Sequence, residues 1–177
     1  DMRELLNRLR RRPGVEAVSM SQNSFPYNGS NSGMDVRLDT MESKYNIRRW
    51  VTPDFFRVFR YQGANGETPE QLAALLKEGT FMVSRNVFES RYKIDLKDYV
   101  GKEFCLDQDT AHLSKLVAAL QVVRYDDFSS GAYSRSAVIL LPKNRLASGN
   151  EICLRTNKNE SAAFAEQLMK DAPSQYR

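Results

Sequence analysis

The chain has 177 residues, of which 41% are hydrophobic and 27% are charged, with a formal net charge of +4. This length is enough for one domain or two small ones with a buried core, and the composition is that of a globular rather than a disordered protein. No run approaches the ~20 consecutive apolar residues that span a bilayer, and the start lacks the pattern of a secretory signal peptide. Because a helical pattern begins directly at Asp1-Met2, we expect the chain to be a piece of a longer protein.

The first third of the chain predicts a helix followed by three strands. Leucines at helical spacing predict a helix over residues 2–12, which Pro13-Gly14 ends. Alternating apolar and polar residues predict strands at 15–20, 34–39 and 46–51, and a segment rich in Ser, Asn and Gly predicts a loop at 21–33.

A second helix is predicted directly after the third strand. The hydroxyl of Thr52 is placed to cap it, with Pro53 in the first helical position, where no amide hydrogen is needed. Asp54 adds negative charge beside the positive end of the helix dipole. The phenylalanines between residues 55 and 59 then give the helix a broad packing face.

The middle of the chain predicts short elements. Thr68-Pro69-Glu70-Gln71 has the form of a capping box that opens a short leucine-bearing helix. Residues 81–83 predict a strand, and Ser84 is placed to cap a helix at 86–91. Residues 95–99 predict a turn, and residues 101–106 a strand.

The last part predicts three strands and a helix. Residues 113–124 favour a strand, although the run fits a helix equally well. Residues 136–141 predict a buried strand stopped by Pro142, and residues 150–155 an edge-like strand. Residues 161–170 predict an amphipathic helix, with Phe164, Leu168 and Met169 on one face.

Few residues suggest catalytic chemistry. His112 is the single histidine, so it cannot build a histidine metal cluster or supply both members of an acid–base pair. Asp107 with Asp109, and Asp126 with Asp127, resemble metal or dyad pairs, but both lie in polar segments where acids serve turns. No nucleophile elbow, P-loop or dinucleotide turn is present. We therefore expect no catalytic, cofactor-binding or metal-binding residues.

The two cysteines are Cys105 and Cys153, each within a predicted strand. The simplest interpretation is that both are buried free thiols. A disulfide between them is the alternative, because the sequence does not give the distance between the two residues. Cysteine usage therefore does not identify the compartment.

Basic and aromatic residues suggest possible contact surfaces. The densest basic cluster comprises Arg8, Arg10, Arg11 and Arg12. It fits a solvated helix end, a nucleic-acid patch or contact with anionic lipid headgroups, and it lacks a nucleic-acid motif. Four aromatic residues in or beside loops are candidates for contact with a protein partner, namely Tyr27, Tyr125, Phe128 and Tyr133. Trp50 is predicted to lie in the core.

Several short motifs, taken in order, resemble one family. They are Pro13-Gly14-Val15-Glu16-Ala17-Val18, Val51-Thr52-Pro53-Asp54-Phe55-Phe56, Phe81-Met82-Val83-Ser84-Arg85-Asn86-Val87-Phe88, Val100-Gly101-Lys102, Val122-Val123 and the late strands at 138–142 and 152–155. This order resembles the periplasmic core domain of MacB/FtsX-type ABC transporter permeases. The similarity spans nearly the whole chain.

The resemblance implies an α+β fold with two lobes. A porter-like lobe of mixed strands and helices would combine residues 1–62 with 136–177, and residues 63–135 would form an inserted β-rich lobe. It also implies a place on the periplasmic side of the inner membrane. The expected partners are the protein's own transmembrane helices, a cytoplasmic ATPase subunit or domain, and a periplasmic adaptor or substrate protein, in a dimeric transporter and without nucleic acid.

The implied function is to couple cytoplasmic ATP hydrolysis to movement and to partner or substrate contact outside the membrane. It would serve export of a peptide, antibiotic or lipoprotein, or mechanotransmission without transport. The alternative is an extracytoplasmic ligand-binding or sensory domain. A hydrolase that uses Asp126 and Asp127 is a third hypothesis, which requires loss of activity in Asp126→Asn.

Overall fold

The structure is a computed structural model that describes residues 2–22, 33–121, 137–140, 151–157 and 162–172. Its helices are α1 (Met2–Arg10), α2 (Phe55–Phe59), α3 (Pro69–Leu75), α4 (Arg85–Tyr92) and α5 (Ala162–Asp171), with a 3-10 turn at Leu96–Asp98. Its strands are β1 (Val15–Gln22), β2 (Gly33–Arg37), β3 (Lys44–Val51), β4 (Thr80–Ser84), β5 (Glu103–Leu106), β6 (Ser114–Leu120), β7 (Ala137–Leu140) and β8 (Glu151–Thr156). The predicted α+β class is confirmed.

The described strands form one mixed sheet, in which β3 has a central position. One edge of β3 pairs in parallel with β7, while its other edge is shared by β2 near its start and by β1 at its end. Since β2 also pairs with β5, the strands β3, β2, β5, β6, β4 and β7 close into a ring. Closure removes the exposed edges of these strands. The antiparallel pair β1–β8 extends from β3 outside the ring.

Two hydrophobic clusters lie on opposite faces of the ring strands, as the alternation along β4 shows. Phe81 and Val83 belong to a cluster that includes Phe88 of α4, while Met82 belongs to a second cluster under α2 and α3. Successive side chains of a strand point to opposite faces, so β4 is buried on both. This explains why its sequence is continuously apolar rather than alternating.

Several predicted elements are confirmed with small shifts in their ends. Within the run at 113–124, Ser114–Leu120 form the strand β6, which settles the choice between strand and helix for these residues, and residues 122–124 lie outside the described residues. Thr68 and Gln71 form the predicted capping box of α3. The strand at 150–155 is β8, and it occupies the end of the strand order as predicted. Pro142 lies outside the described residues, as does most of the predicted loop at 21–33.

The predicted cap of α2 is wrong. The helix begins at Phe55, and its N-cap position is occupied by Asp54 rather than by Thr52. The hydroxyl of Thr52 instead accepts the backbone N–H of Met20 at 3.0 Å, because β1 pairs with the end of β3 at this point. Ser84 occupies the N-cap position of α4 as predicted, but its side chain makes no capping hydrogen bond there.

The last helix is less buried than its pattern predicts. No residue of α5 is buried, and Met169 is 51% exposed. Phe164 and Leu168 are half-buried, so the predicted apolar face does not extend to Met169. Trp50 is likewise half-buried against the first hydrophobic cluster rather than fully enclosed.

The division into two lobes, 1–62 with 136–177 and 63–135, stays a prediction. The ring takes β2, β3 and β7 from the first set of residues and β4, β5 and β6 from the second. Among the described residues, no helix is long and apolar enough to cross a membrane.

Candidate functional site

The chain ends meet the sheet at the strand pair β1–β8, which we call the terminal junction together with α1, α2 and α5. The sequence of β1 places Val18 and Met20 on one face and Ala17 on the other. Val18 and Met20 pack with α1, whereas Ala17 packs with α2. The strand is therefore enclosed between the first helix of the chain and the helix that follows β3.

Helix α1 is anchored to β1 by its apolar face. Leu6 is only 1% exposed and packs against Val18 and Met20. Burial of one leucine side chain contributes roughly 1.5–3 kcal/mol to folding. The basic residues of α1 lie away from this contact and are exposed or half-buried, so α1 is an amphipathic helix fixed to the strand pair along one side.

Helix α2 is fixed to the opposite face of the strand pair. Val58 packs with Ala17 and Cys153, and the Arg155 Nε donates a hydrogen bond to the Val58 carbonyl oxygen at 2.8 Å. That bond satisfies a carbonyl in the last turn of the helix, where intrahelical partners are missing. It also joins α2 to the outermost strand, β8.

Asp54 connects the end of α1 to the start of α2. Its Oδ2 lies 3.2 Å from Nη2 of Arg10, and its Oδ1 lies 2.6 Å from Nη1 of Arg57. The sequence predicts a role for Asp54 beside the helix dipole, and the structure adds this contact with a residue far earlier in the chain. No local pattern signals such a pair.

Helix α5 contacts the turn that follows α1 through Arg12. Its Nη1 binds Oδ2 of Asp171, and its guanidinium lies 5.4 Å from the centroid of the Phe164 ring. The Arg12 hydrogen bond, with a further bond from Gln167, holds the pKa of Asp171 below its usual value. The Asp171 side chain is 40% exposed, so this contact positions α5 against the turn after α1 without adding much stability.

The basic cluster is divided between paired and unpaired side chains. Arg10 and Arg12 bind Asp54 and Asp171 respectively. Arg8 and Arg11 line a groove of about 300 Å³ between α1 and α5. The three functions left open for this cluster therefore concern chiefly Arg8 and Arg11.

The acidic candidates that the structure describes serve turns. Oδ1 of Asp107 accepts the backbone N–H of Asp35 at 3.0 Å, and its Oδ2 lies 3.5 Å from Arg48. Asp109 accepts from the exposed His112 ring, with 3.1 Å between Oδ2 and Nδ1. No group of three potential metal ligands occurs within the described ranges. Asp126 and Asp127 lie outside them.

The remaining candidates are the two cysteines and the four contact aromatics. Cys105 and Cys153 are both buried, and neither forms a disulfide, which agrees with the simplest interpretation of their sequence contexts. The four candidate contact aromatics, Tyr27, Tyr125, Phe128 and Tyr133, all lie outside the described residues.

A second groove escaped sequence reasoning. It has a volume of about 640 Å³ and lies beside β2 and β5, between the segment 37–41 and residues of the 99–113 region. Tyr99, Lys102 and Leu113 are among its lining residues. Its walls are far apart in sequence and meet only because β2 pairs with β5, so no motif could have revealed it.

The fold of this chain is similar to that of extracytoplasmic domains of ABC-type transporter permeases. The chain superposes on the extracellular domain of the noncanonic ABC-type transporter YknZ from Gram-positive bacteria with a TM-score of 0.59 and 14% identity, covering 93% of this chain and 76% of that one. It matches a domain of a putative permease protein from Porphyromonas gingivalis with a TM-score of 0.59 and 14% identity, over 94% and 66% of the two chains.

A third similar structure is the periplasmic region of MacB from Actinobacillus actinomycetemcomitans. Its TM-score is 0.58 and its identity 10%, over 94% of this chain and 70% of that one. No protein-family model and no curated protein matches the chain. The predicted resemblance to a MacB-like periplasmic domain is thereby confirmed at the level of the fold.

Proposed function

We propose that the chain is the extracytoplasmic domain of an ABC transporter permease, which couples cytoplasmic ATP hydrolysis to movement and partner contact outside the membrane. The solved domains that share its fold are parts of such transporters. On this proposal it acts on the periplasmic side of the inner membrane. Its partners are its own transmembrane helices, a cytoplasmic ATPase, a second copy, and an adaptor or substrate protein.

The observation that carries the proposal is the terminal junction. Helix α1 packs on β1 through Leu6, and α5 contacts the turn between α1 and β1 through the Arg12–Asp171 ion pair. A displacement of α1 would therefore act on β1 directly, and a displacement of α5 would act on the segment that leads into β1. Tightly packed interiors transmit such displacements rather than absorbing them.

The proposal needs no covalent chemistry from this chain. Of the candidate acids that the structure describes, Asp107 binds a backbone N–H and an arginine, and Asp109 binds the ring of His112. On this proposal the terminal junction, within 1–62 and 136–177, receives the movement of the transmembrane helices. The segment 63–135 would supply the surface that meets a partner.

The first test is the sequence of the longer protein. The proposal requires an apolar span of ~20 residues on each side of the chain. A gene product without such spans would contradict it at once.

The second test measures movement in the full-length protein in lipid nanodiscs. Spin labels on a Lys77→Cys variant in both copies should report a different separation with and without ATP. Leu6→Ala loosens α1 from β1 and should reduce that change, whereas Leu75→Ala, at a 38% exposed leucine of α3, should not. An ATP-independent separation would overturn the proposal.

A ligand-binding or sensory domain remains the second candidate because of the groove beside β2 and β5. A volume of about 640 Å³ falls within the range of small-molecule sites. A thermal-shift screen of the chain against peptides, lipids and macrolides addresses it. A ligand whose stabilisation is lost in Tyr99→Ala, but kept in Tyr45→Ala outside the groove, would favour this candidate.

A further inference from the structure

The groove between α1 and α5 has apolar walls supplied by both helices. Leu5 and Leu9 line it from α1, and Leu168 and Ala172 line it from the end of α5. Leu5 is 7% exposed, while Leu9 and Leu168 are half-buried. The groove is therefore open to solvent but offers hydrocarbon to whatever enters it.

The charged residues at the groove are mostly basic. Three guanidinium groups, those of Arg8, Arg11 and Arg12, line it together with a single carboxylate, that of Asp171. Both oxygens of Asp171 are engaged, one by Arg12 and the other by Gln167. Within the described residues, neither Arg8 nor Arg11 has a hydrogen-bonded or ion-paired side-chain partner, so the rim keeps an excess of positive charge.

We infer that this groove binds the headgroup of an anionic phospholipid at a membrane surface, with Arg8 and Arg11 on the phosphate and the leucines against the upper acyl chain. The inference rests on the function proposed above, because it requires α1 and α5 to lie next to a bilayer. It assigns a ligand class to the basic cluster.

A lipid fits the groove better than a small free anion does. Arg11 and Ala172 follow the carboxyl ends of α1 and α5, where the helix dipoles are negative and disfavour an isolated phosphate. Guanidinium groups overcome this effect most readily when apolar burial adds to the binding. The leucine walls supply that burial only to a ligand with a hydrocarbon part.

A nucleic acid fits the groove less well. Single strands are held by aromatic side chains on which bases stack, and none of the lining residues is aromatic. Phe164, nearby on α5, is covered by the guanidinium of Arg12.

The test is co-sedimentation of the chain with vesicles. Vesicles of phosphatidylcholine mixed with phosphatidylglycerol should bind it, and pure phosphatidylcholine vesicles should not. Each basic residue near an anionic surface changes partitioning by roughly fivefold. Arg8→Gln and Arg11→Gln should therefore each weaken binding by about that factor, while Lys115→Gln, on β6 away from the groove, should leave it unchanged.

The contribution of the walls is tested separately. Leu168→Gln should weaken vesicle binding without changing the circular dichroism spectrum, since Leu168 is only half-buried. Glycerol phosphate at equal phosphate concentration should not compete. Equal binding to both vesicle types, no effect of Arg8→Gln and Arg11→Gln, full competition by glycerol phosphate, or tighter binding to single-stranded DNA would each overturn the inference.

Failure of this test is distinguishable from failure of the proposed function. The ATP-dependent separation in the full-length protein does not depend on Arg8 or Arg11 binding lipid. If the separation changes with ATP but the vesicles do not bind, the transporter function stands and the lipid site falls. If neither occurs, both fall.

Discussion

Thr52 and Met20 exchange two hydrogen bonds across the end of the sheet. The Thr52 N–H donates to the Met20 carbonyl oxygen at 2.9 Å, and the Met20 N–H donates to Oγ1 of Thr52 at 3.0 Å. A side-chain hydroxyl thus replaces a backbone acceptor where β3 turns away toward α2. This pair holds β1 to β3 at the point where the terminal junction joins the ring.

The first prediction is that Thr52→Val destabilises the chain by about 1–3 kcal/mol, because the buried Met20 N–H loses its acceptor while the side-chain shape is kept. Urea unfolding followed by circular dichroism measures it. Thr52→Ser keeps the hydroxyl and should cost clearly less. Equal losses in the two variants would show that the methyl group, not the hydrogen bond, matters at this position.

A second prediction concerns Ser19, which lies opposite Cys153 in the β1–β8 pair. Opposite residues of an antiparallel pair point to the same face, with Cα atoms about 4.5–5.5 Å apart, within the range that a disulfide requires. Ser19→Cys should therefore form a disulfide with Cys153 on mild oxidation, detected by peptide mass spectrometry. It should raise the melting temperature relative to the reduced protein.

Ser21→Cys provides the matched control for that disulfide. Its strand partner is Glu151, so Cys153 lies on the diagonal, where the separation of about 7–8 Å is too long. Replacement of the Ser19 hydroxyl should itself cost little, because this buried group has no hydrogen-bond partner among the described residues. A disulfide in both variants would mean that the pair β1–β8 slips in register.

Sequence reasoning succeeded where the signal is local. The capping box at Thr68 and Gln71 lies within one turn of helix, and it appears as predicted. The alternation in β1 likewise specifies a strand without reference to the rest of the chain. The family resemblance extended this to the fold class.

What sequence reasoning missed depends on residues far apart in the chain. Arg12 and Asp171 are 159 positions apart, and Asp35 and Asp107 are 72 apart. The second pair accompanies the β2–β5 pairing that closes the ring. Thr52 was misassigned for the same reason, because its hydroxyl accepts a hydrogen bond from the distant strand β1 instead of capping the neighbouring helix α2.

A third prediction concerns the buried hydroxyl of Tyr92. It donates to the Val36 carbonyl oxygen at 2.7 Å and accepts from Nδ2 of Asn46 at 3.0 Å. Tyr92→Phe should cost about 1–3 kcal/mol, because both partners lose their bond in the interior. Tyr45→Phe, at a 44% exposed tyrosine, should cost less. Equal costs would show that the hydrogen bonds of Tyr92 contribute nothing specific.

The same hydroxyl should weaken the fold at high pH. Burial, opposed in part by the Asn46 hydrogen bond, raises the pKa of Tyr92 above its ordinary value of 10.0. The unfolded chain then ionises first, so stability is full below pH 10.0 and is lost as the pH rises through the folded pKa. The stability difference between wild type and Tyr92→Phe should narrow above pH 10, as urea unfolding at several pH values can measure.

A fourth prediction tests the contact between the terminal helices by titration. The hydrogen bond from Arg12 holds the pKa of Asp171 below 3.8. Arg12→Gln should therefore move this pKa upward, as carboxyl-carbon NMR can record, whereas Arg57→Gln, whose partner is Asp54, should leave it unchanged.

The contribution of Asp171 to the free energy of unfolding is present above pH 3.8 and is lost as the pH falls through the pKa of Asp171 in the folded state. Because the carboxylate is exposed, the unfolding midpoint at neutral pH should hardly move in Arg12→Gln. An unshifted Asp171 pKa in that variant would mean that α5 does not dock on α1, and the terminal junction would then lose its second helix.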